Sequence, residues 1–260
     1  MDYYRPPSFS LFPPVVKNLL IANTLFFIAT LVVNNTYHID LNNILGLHYF
    51  QASTFKPYQL VTYMFMHGGF AHILFNMFAL WMFGYSLENL WGPKRFLFFY
   101  FVCGIGAGLT QEFVQYFYFH HIHQALEVFS SAPNQPDFTA IAAKYFGLEA
   151  SGGETFSGQY MVLLLQKAFE DAMSQSVTIG ASGAIFGILL AFGMLFPNTL
   201  LYVYLFVPVK AKYFVIVYGL IELFSAVSNR PGDDVAHYAH IGGMVFGFFL
   251  IMYWRRKRDI

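Results

Sequence analysis

The sequence has little charge for its length. Charged residues make up 11% of its 260 residues, whereas hydrophobic residues make up 57%. A soluble domain with so few charges would expose large apolar patches, so this composition argues against an ordinary soluble protein and predicts an integral membrane protein. The one dense basic run, at 255–258, directly follows an apolar stretch. That position is typical of an anchor at the membrane edge, and we expect no nucleic acid partner.

Cysteine is almost absent as well. The single cysteine, Cys103, lies in an apolar run, which excludes an intramolecular disulfide framework and favours a packing role for the thiol. Three histidines at 120, 121 and 123 resemble a metal cluster, but close neighbours in sequence cannot easily share one tetrahedral site. We interpret them as solvent-facing side chains and expect neither a metal nor a cofactor.

Long apolar runs, by contrast, are abundant. A bilayer core of about 30 Å is crossed by a helix of about 20 residues. Six stretches are interpreted as membrane spans: 15–33, 70–87, 96–119, 178–196, 213–224 and 236–254. A signal peptide is the alternative for the first, although no small-x-small cleavage site follows it. The sequence therefore predicts an all-α fold, a polytopic bundle of six transmembrane helices.

The domain organisation follows from these spans. Residues 1–14 form a polar, proline-rich tail, 15–254 the membrane domain and 255–260 a basic tail. A polar insertion at 120–176 separates the third and fourth spans, and its pattern predicts two amphipathic helices, near 138–148 and 159–173.

The basic residues predict an orientation. With six spans and both termini on one side, that side receives ten of the 14 lysine and arginine residues: Arg5, Lys17, Lys94, Arg95, Lys210, Lys212 and the four at 255–258. Because positive charge accumulates in cytoplasmic loops, both termini are predicted to be cytoplasmic. The insertion then lies on the outer face.

The fourth span opens with a candidate nucleophile. Gly180-Ala-Ser182-Gly183 has the Gly-x-Ser-Gly form of a serine nucleophile and stands where a polar run gives way to an apolar one. The match is weak by itself, because clusters of small residues in membrane helices usually serve close helix packing. The motif supports a catalytic role only if a base and an oxyanion pocket occur elsewhere in the chain.

Ionisable and polar residues at membrane depth are costly, and each is a candidate functional group. His72 and Asn76 lie at i and i+4 in the second span and so share one helical face. His240 lies in the sixth span, one turn after His237. Interhelical hydrogen bonds worth about 1 kcal/mol each are the alternative explanation.

Glycine spacing brings two of these groups together. Gly183 and Gly187 form a Gly-x-x-x-Gly face on the fourth span, and Gly243 and Gly247 form another on the sixth. Such faces let backbones approach, as a serine–histidine hydrogen bond of about 2.6–3.2 Å requires. Because His240 shares its face with the second pair, we assign the base to it.

Three further ionisable residues lie near the ends of predicted spans. His237, near the loop, is interpreted as a supporting group at the rim. No acid is positioned to complete a triad. Glu112 and Glu222 fall at the outward ends of their spans, and interfacial snorkelling or local hydrogen bonding explains them better than ion transport does.

Together these motifs resemble the rhomboid intramembrane serine proteases of the bacterial six-span type. The matching segments occur in the family's order: His67-Gly-Gly-Phe-Ala-His72-Ile-Leu-Phe-Asn76, Gly180-Ala-Ser182-Gly183 and Ala239-His240-Ile-Gly-Gly243-Met-Val-Phe-Gly247. The resemblance covers about 15–119 and 177–254. The insertion at 120–176 departs from it, being longer than the compact bacterial pattern, which puts substrate access in doubt.

The resemblance implies a role for each matching residue. Ser182 would be the nucleophile and His240 the general base of a dyad, while His72 and Asn76, with the Ser182 backbone N–H, would form the oxyanion hole. Phe186 would stack on the catalytic histidine. Supporting positions would be Gly180, Gly183, His237, Gly243 and Gly247, and the loop 226–235 would be a flap over the site.

The predicted function is accordingly that of a serine endopeptidase. It would cleave single-span or polytopic membrane proteins within or near the outer end of a transmembrane segment, through an acyl-enzyme, with the lipid bilayer as its surroundings. One alternative is a rhomboid-fold protein that binds membrane clients without cleaving them, and another is a transporter. The resemblance, together with the lack of a targeting extension, predicts a location in a bacterial cytoplasmic (inner) membrane.

Overall fold

The computed structural model describes residues 10–148, 156–203, 206–228 and 235–257, and this part of the chain is mostly helical. Strand β1 pairs with β2, and β3 pairs with β4. The elements in chain order are α1 (Pro14–Tyr37), α2 (Leu41–Leu45), β1 (Leu47–His48), α3 (Gln59–Thr62), a 3₁₀ turn (Tyr63–Phe65), α4 (Phe70–Trp91), α5 (Pro93–Ser131), α6 (Gln135–Phe146), α7 (Gly158–Gln175), β2 (Val177–Thr178), α8 (Ser182–Leu195), β3 (Leu200–Val203), β4 (Val207–Lys210), α9 (Ala211–Ser228) and α10 (His237–Arg256).

Four helices of the described residues are long and apolar enough to cross a membrane: α1, α4, α5 and α9. Helix α8 is apolar but has 14 residues, and α10 has 20 residues that include two histidines and two arginines. The predicted class, a helical polytopic membrane protein, is thus confirmed in this coarser form. The count of six spans and the orientation of the termini stay predictions.

The helix of the third predicted span extends well past its predicted end, and a short sheet follows the helix of the fourth. Helix α5 continues without a break to Ser131, past the predicted end of the third span at 119, because the first proline after its start is Pro133. After α8, the apolar run near 200–208 forms the antiparallel hairpin β3–β4. Pro197 precedes this hairpin, and its β-branched and aromatic residues favour strands over helix.

The chain divides into two compact units, of which the first comprises Met1–Gly46, Tyr58–Gln111 and Thr178–Ile260. Helix α8 lies at its centre and packs against α4, α9 and α10. Most of its side chains are buried.

Glycines set the distance between α8 and α10. A Cβ at Gly243 would collide with the backbone carbonyl of Gly183, and a Cβ at Gly187 would lie 2.9 Å from the carbonyl oxygen of Gly243. The Gly187 position also abuts the Sγ of Cys103, so the lone thiol fills space beside this contact. The two helices therefore meet backbone to backbone, as the small-residue spacing predicts.

The amino-terminal turn of α1 is held by a carboxylate. Glu88, at the carboxyl end of α4, accepts hydrogen bonds from the backbone N–H groups of Val15 and Val16, at 2.8 and 2.7 Å. Pro14 has no N–H to satisfy. A negative charge on these otherwise unpaired donors, at the positive end of the helix dipole, stabilises the junction of α1 and α4.

The second unit comprises Leu47–Pro57 and Glu112–Val177. Helices α6 and α7 overlap the two predicted amphipathic helices, and Asn134 and Ser157 cap their first turns. The apolar faces of both helices bury Phe138, Ala142, Met161 and Leu165 in a common core with Tyr49, Ala52, Phe119, Ile122, Leu126 and Phe129. This unit has its own hydrophobic core.

Candidate active site

Ser182 is the first residue of α8, and the turn before it is fixed by hydrogen bonds. Gly180 has φ of 127°, a left-handed conformation that favours glycine. Its N–H donates to the carbonyl of Tyr63 at 2.9 Å, and the buried Tyr63 hydroxyl donates to the carbonyl of Gly104 at 2.6 Å. Tyr63 thus anchors the turn that presents Ser182, a role that the sequence reasoning missed because no local motif marks it.

His240 meets Ser182 across the α8–α10 contact. The Nε2 of His240 lies 2.8 Å from the Oγ of Ser182, a hydrogen-bond distance. The histidine is 7% exposed, whereas Ser182 is partly exposed. A serine hydroxyl beside the free lone pair of an imidazole is the arrangement in which a base can activate a nucleophile.

An aromatic ring orients the imidazole. The ring of Phe186, one turn after Ser182 on α8, stacks on His240 with centroids 4.2 Å apart and planes tilted by 10°. Phe186 also contacts Tyr218 on α9, with centroids 5.6 Å apart. The imidazole is therefore restrained by packing on its face as well as by hydrogen bonds at its edge.

His72 presents a donor nitrogen near the serine. The backbone N–H of Gly68 donates to its Nδ1 at 3.4 Å, so the neutral ring carries its proton on Nε2. A Cβ built on Gly180 would lie 2.8 Å from this Nε2 and 3.4 Å from the Oγ of Ser182. Both atoms thus border the same small space, which an L side chain at 180 would fill.

Asn76 lies one turn after His72 on α4, which packs against α8. Its side chain is 7% exposed, and the amide nitrogen has no hydrogen-bond partner among the described residues. Buried amide groups are nearly always paired. A buried donor left open in this way is available to a group that enters the site.

His67 borders the same region. It is almost fully buried, and its ring packs edge-on against His72 with centroids 5.0 Å apart. Burial and the neighbouring His72 lower the pKa of His67 to about 4, so the side chain is neutral at physiological pH. It supports His72 as a packed, uncharged ring.

Glu222 is the acid that the sequence reasoning left out of the site. It is 6% exposed on α9, and its Oε2 accepts hydrogen bonds from the Nδ1 of His240 at 2.8 Å and the Nδ1 of His237 at 2.6 Å. An acid therefore does contact the imidazole, contrary to the expectation of a site without one. The available signal was the charge itself, since an ionisable residue inside an apolar helix needs a partner.

Glu222, His237 and His240 also have the chemistry of metal ligands. One ligand atom from each lies within 4.8 Å of the other two.

The histidines at 120, 121 and 123 are exposed, as the sequence predicted. Most of the predicted flap, at 229–234, lies outside the described residues.

Comparison with known families decides the relationship. Residues 54–120 and 140–257, more than half of the chain, match the rhomboid domain. The chain belongs to the rhomboid family. The resemblance inferred from the three motifs is thereby confirmed, and the match resumes at 140, inside the predicted insertion.

Rhomboid relatives from Arabidopsis thaliana and Schizosaccharomyces pombe align with most of the chain. RHOMBOID-like protein 12, mitochondrial, of Arabidopsis thaliana is 26% identical over 232 residues, which cover 88% of this chain and 55% of the relative. An uncharacterized mitochondrial rhomboid protein of Schizosaccharomyces pombe is 27% identical over 223 residues, 80% of this chain and 55% of that protein. The chain thus spans about half the length of these relatives.

A third relative matches over a short segment. Rhomboid protease GluP of Bacillus subtilis is 38% identical over 53 residues, which make up 20% of this chain and 10% of that protein. The predicted location in a bacterial cytoplasmic membrane is wrong, because the relatives that align with most of the chain are mitochondrial by name. Membrane-span and motif patterns do not differ between the two membranes, so the sequence reasoning had no signal to separate them.

Proposed function

We propose that this rhomboid-family protein is a serine endopeptidase that cleaves membrane-anchored proteins within or near one end of a transmembrane segment. The observation that carries the proposal is the 2.8 Å hydrogen bond between the Oγ of Ser182 and the Nε2 of His240. It joins a nucleophile to a base inside a protein with four apolar helices of membrane-crossing length. A relative that is named a protease shares part of the sequence.

The reaction would proceed through an acyl-enzyme. His240 takes the hydroxyl proton as the Oγ of Ser182 attacks the scissile carbonyl, and it returns this proton to the leaving amine. Water then repeats the sequence on the ester. The stacked ring of Phe186 keeps the imidazole in place through both half-reactions.

The negative oxygen of the tetrahedral intermediate would be stabilised by three donors. These are the Nε2–H of His72, the amide of Asn76 and the backbone N–H of Ser182. The unpartnered amide nitrogen of Asn76 supports this role, because a donor that is already aimed and unpaired needs little reorganisation when charge develops.

The substrate class follows from the surroundings of the site. A scissile carbonyl in a transmembrane helix is hydrogen-bonded within that helix, so the segment must unwind before Ser182 can attack. Helix-weakening and small residues near the cleavage point should therefore be preferred.

We further propose six spans, with α8 and α10 crossing beside the four candidate helices and both termini on one side. Ten basic residues then share that side. The names of the relatives that align with most of the chain favour a mitochondrial membrane.

The test is cleavage of a model single-span substrate by purified protein in lipid vesicles. Ser182→Ala and His240→Ala should each abolish cleavage. The matched controls are Ser130→Ala, whose hydroxyl donates to the carbonyl of Leu126 in its own helix, and His123→Ala on the exposed face of α5. Both controls should cut at the parent rate.

Two outcomes would contradict the proposal. If the parent binds a panel of membrane substrates but leaves them intact, the protein is a client-binding member of the family. If His240→Ala still cuts while His237→Ala does not, the base has been assigned to the wrong histidine.

A further inference from the structure

Glu222 is a buried carboxylate on a helix of membrane-crossing length. Its neighbours on α9 include Leu220 and Leu223, which are exposed apolar side chains. An ionised group at such a position needs strong partners to offset its loss of hydration. Glu222 has two, since its Oε2 lies 2.8 Å from the Nδ1 of His240 and 2.6 Å from the Nδ1 of His237.

We propose that Glu222 is a positioning residue that orients His240 and stabilises its protonated form, so that the site works as a Ser182–His240–Glu222 triad and not as a dyad. This inference rests on the proposed peptidase function and assigns an additional residue to its mechanism.

The first argument concerns the proton on the resting imidazole. A carboxylate oxygen can only accept hydrogen bonds, so the Nδ1 of His240 must be the protonated nitrogen. Its Nε2 then carries the lone pair that faces the Oγ of Ser182. Without an acceptor at Nδ1, the imidazole could carry its proton on Nε2, where it would be unable to accept the serine proton.

The second argument concerns charge. When the Oγ of Ser182 bonds to the substrate carbonyl, its proton moves to Nε2 and His240 becomes an imidazolium. A carboxylate 2.8 Å from Nδ1 stabilises that cation where little water screens the pair. Glu222 keeps its negative charge throughout, because the proton passes from Nε2 to the leaving nitrogen as the C–N bond breaks.

His237 holds the carboxylate from the other side. It lies one turn before His240 on α10 and donates to the same Oε2. The two donors from one helix restrain the Glu222 side chain to a single position. This contact gives the predicted rim histidine a defined function, which is to fix the residue that orients the base.

A metal ion bound by Glu222, His237 and His240 is the alternative explanation of this cluster, and it predicts different distances between the ligand atoms. Ligands bonded to zinc at about 2.0–2.1 Å in a tetrahedron lie roughly 3.3 Å apart. The separations of 2.6 and 2.8 Å are shorter and match N–H···O hydrogen bonds. We therefore favour the hydrogen-bonded carboxylate, and the experiment includes an arm for the metal.

The experiment compares Glu222→Gln and Glu222→Asp with the parent in the vesicle cleavage assay. Glutamine keeps the shape but removes the charge, and aspartate keeps the charge on a shorter side chain. We expect Glu222→Gln to lower kcat by up to about 10⁴-fold, the effect of exchanging the acid of a Ser-His-Asp triad for its amide. KM should change little, because the buried Glu222 would act through His240 and not on the substrate.

One control variant and two further measurements distinguish a positioning role of Glu222 from a role in stabilising the fold. Glu112→Gln makes the same exchange at another buried glutamate, which accepts from the backbone N–H of Phe50, and should keep the parent kcat. The midpoint of thermal unfolding of Glu222→Gln should stay close to that of the parent. Inactivation by a fluorophosphonate, which needs an activated serine, should slow in parallel with kcat, and Glu222→Asp should recover part of both rates.

Each contrary result has a distinct meaning. A parent that cleaves, with an unchanged kcat in Glu222→Gln, overturns the positioning role and leaves the proposed peptidase intact. A parent that does not cleave overturns the peptidase itself. If Glu222→Gln loses thermal stability along with activity and aspartate restores neither, the role is structural. Zinc that copurifies with the parent, is lost in Glu222→Gln and is needed for activity would make the carboxylate a metal ligand.

Discussion

At the scale of single residues, the site combines groups that are already paired with one that is open. Ser182, His240 and Glu222 form a continuous set of hydrogen bonds, whereas the amide nitrogen of Asn76 is buried without a partner among the described residues. An unpaired donor destabilises the resting protein. A site retains such a donor when it forms its bond later in the reaction.

Asn76→Ala should therefore separate activity from stability. We expect kcat to fall by about 10²–10³-fold through loss of one oxyanion donor, with KM and the thermal midpoint near parent values. Steady-state cleavage and thermal unfolding in detergent would measure these quantities.

Asn23→Ala is the matched control for this substitution. Asn23 is fully buried on α1, but its amide nitrogen donates to the carbonyl of Leu19 in its own helix. The control should cut at the parent rate. An Asn76→Ala variant with the parent kcat would remove Asn76 from the mechanism.

At the scale of helices, catalytic geometry depends on the approach of α8 and α10. Ser182 and His240 lie on different helices, and the length of one hydrogen bond separates them because Gly183 and Gly243 bring the backbones together. A side chain at Gly243 would meet the backbone of Gly183 and widen the gap. The glycine faces thus affect catalysis without touching a substrate.

Gly243→Ala tests this dependence. The new methyl group would meet the carbonyl of Gly183, and backbone cannot move aside as a flexible side chain can. We expect a loss of about 1–3 kcal/mol in the free energy of unfolding, as for overpacked cores, together with a large loss of kcat as the serine and histidine separate.

Gly219→Ala serves as its control. The added methyl group would meet only the end of the flexible Met244 side chain, at 3.1 Å, so activity should persist. A fully active and stable Gly243→Ala variant would show that the helices can separate at no cost to the site.

The junction of α1 and α4 gives a second prediction at this scale. Glu88→Gln replaces a charged acceptor of two backbone N–H groups with a neutral amide whose nitrogen cannot accept. We expect the free energy of unfolding to fall by roughly 1.5–3 kcal/mol, and proteolysis near α1 to become faster. Thermal unfolding and limited proteolysis would measure both effects.

Glu127→Gln provides the comparison for Glu88. Its side chain is exposed on α5 and pairs only loosely with His123, so its stability should change by less than about 0.5 kcal/mol. Equal, small effects at both glutamates would refute the role assigned to the buried carboxylate.

At the scale of the whole molecule, the family relationship and the apolar helices place the chain in a membrane. The full-length protein, tagged in its native cells, should stay in the membrane pellet after alkaline carbonate extraction and cosediment with mitochondrial markers. Release into the supernatant would contradict a multi-pass protein. Retention with markers of another organelle would contradict the mitochondrial location alone.

The sequence by itself determined the membrane class, the serine motif, the histidines and the glycine faces. These features depend on residue type and short spacing, which are visible along the chain. The same reasoning could not choose between a bacterial and a mitochondrial membrane, because both require the same apolar helices.

Only the tertiary structure decided which distant groups meet. Glu222 and His240 are 18 positions apart, and Glu88 and Val15 are 73 apart. Tyr63 fixes the turn at Gly180 from more than a hundred positions away. Such contacts depend on how helices pack, and helical periodicity, which operates over a few residues, does not specify the partner that a buried group will reach.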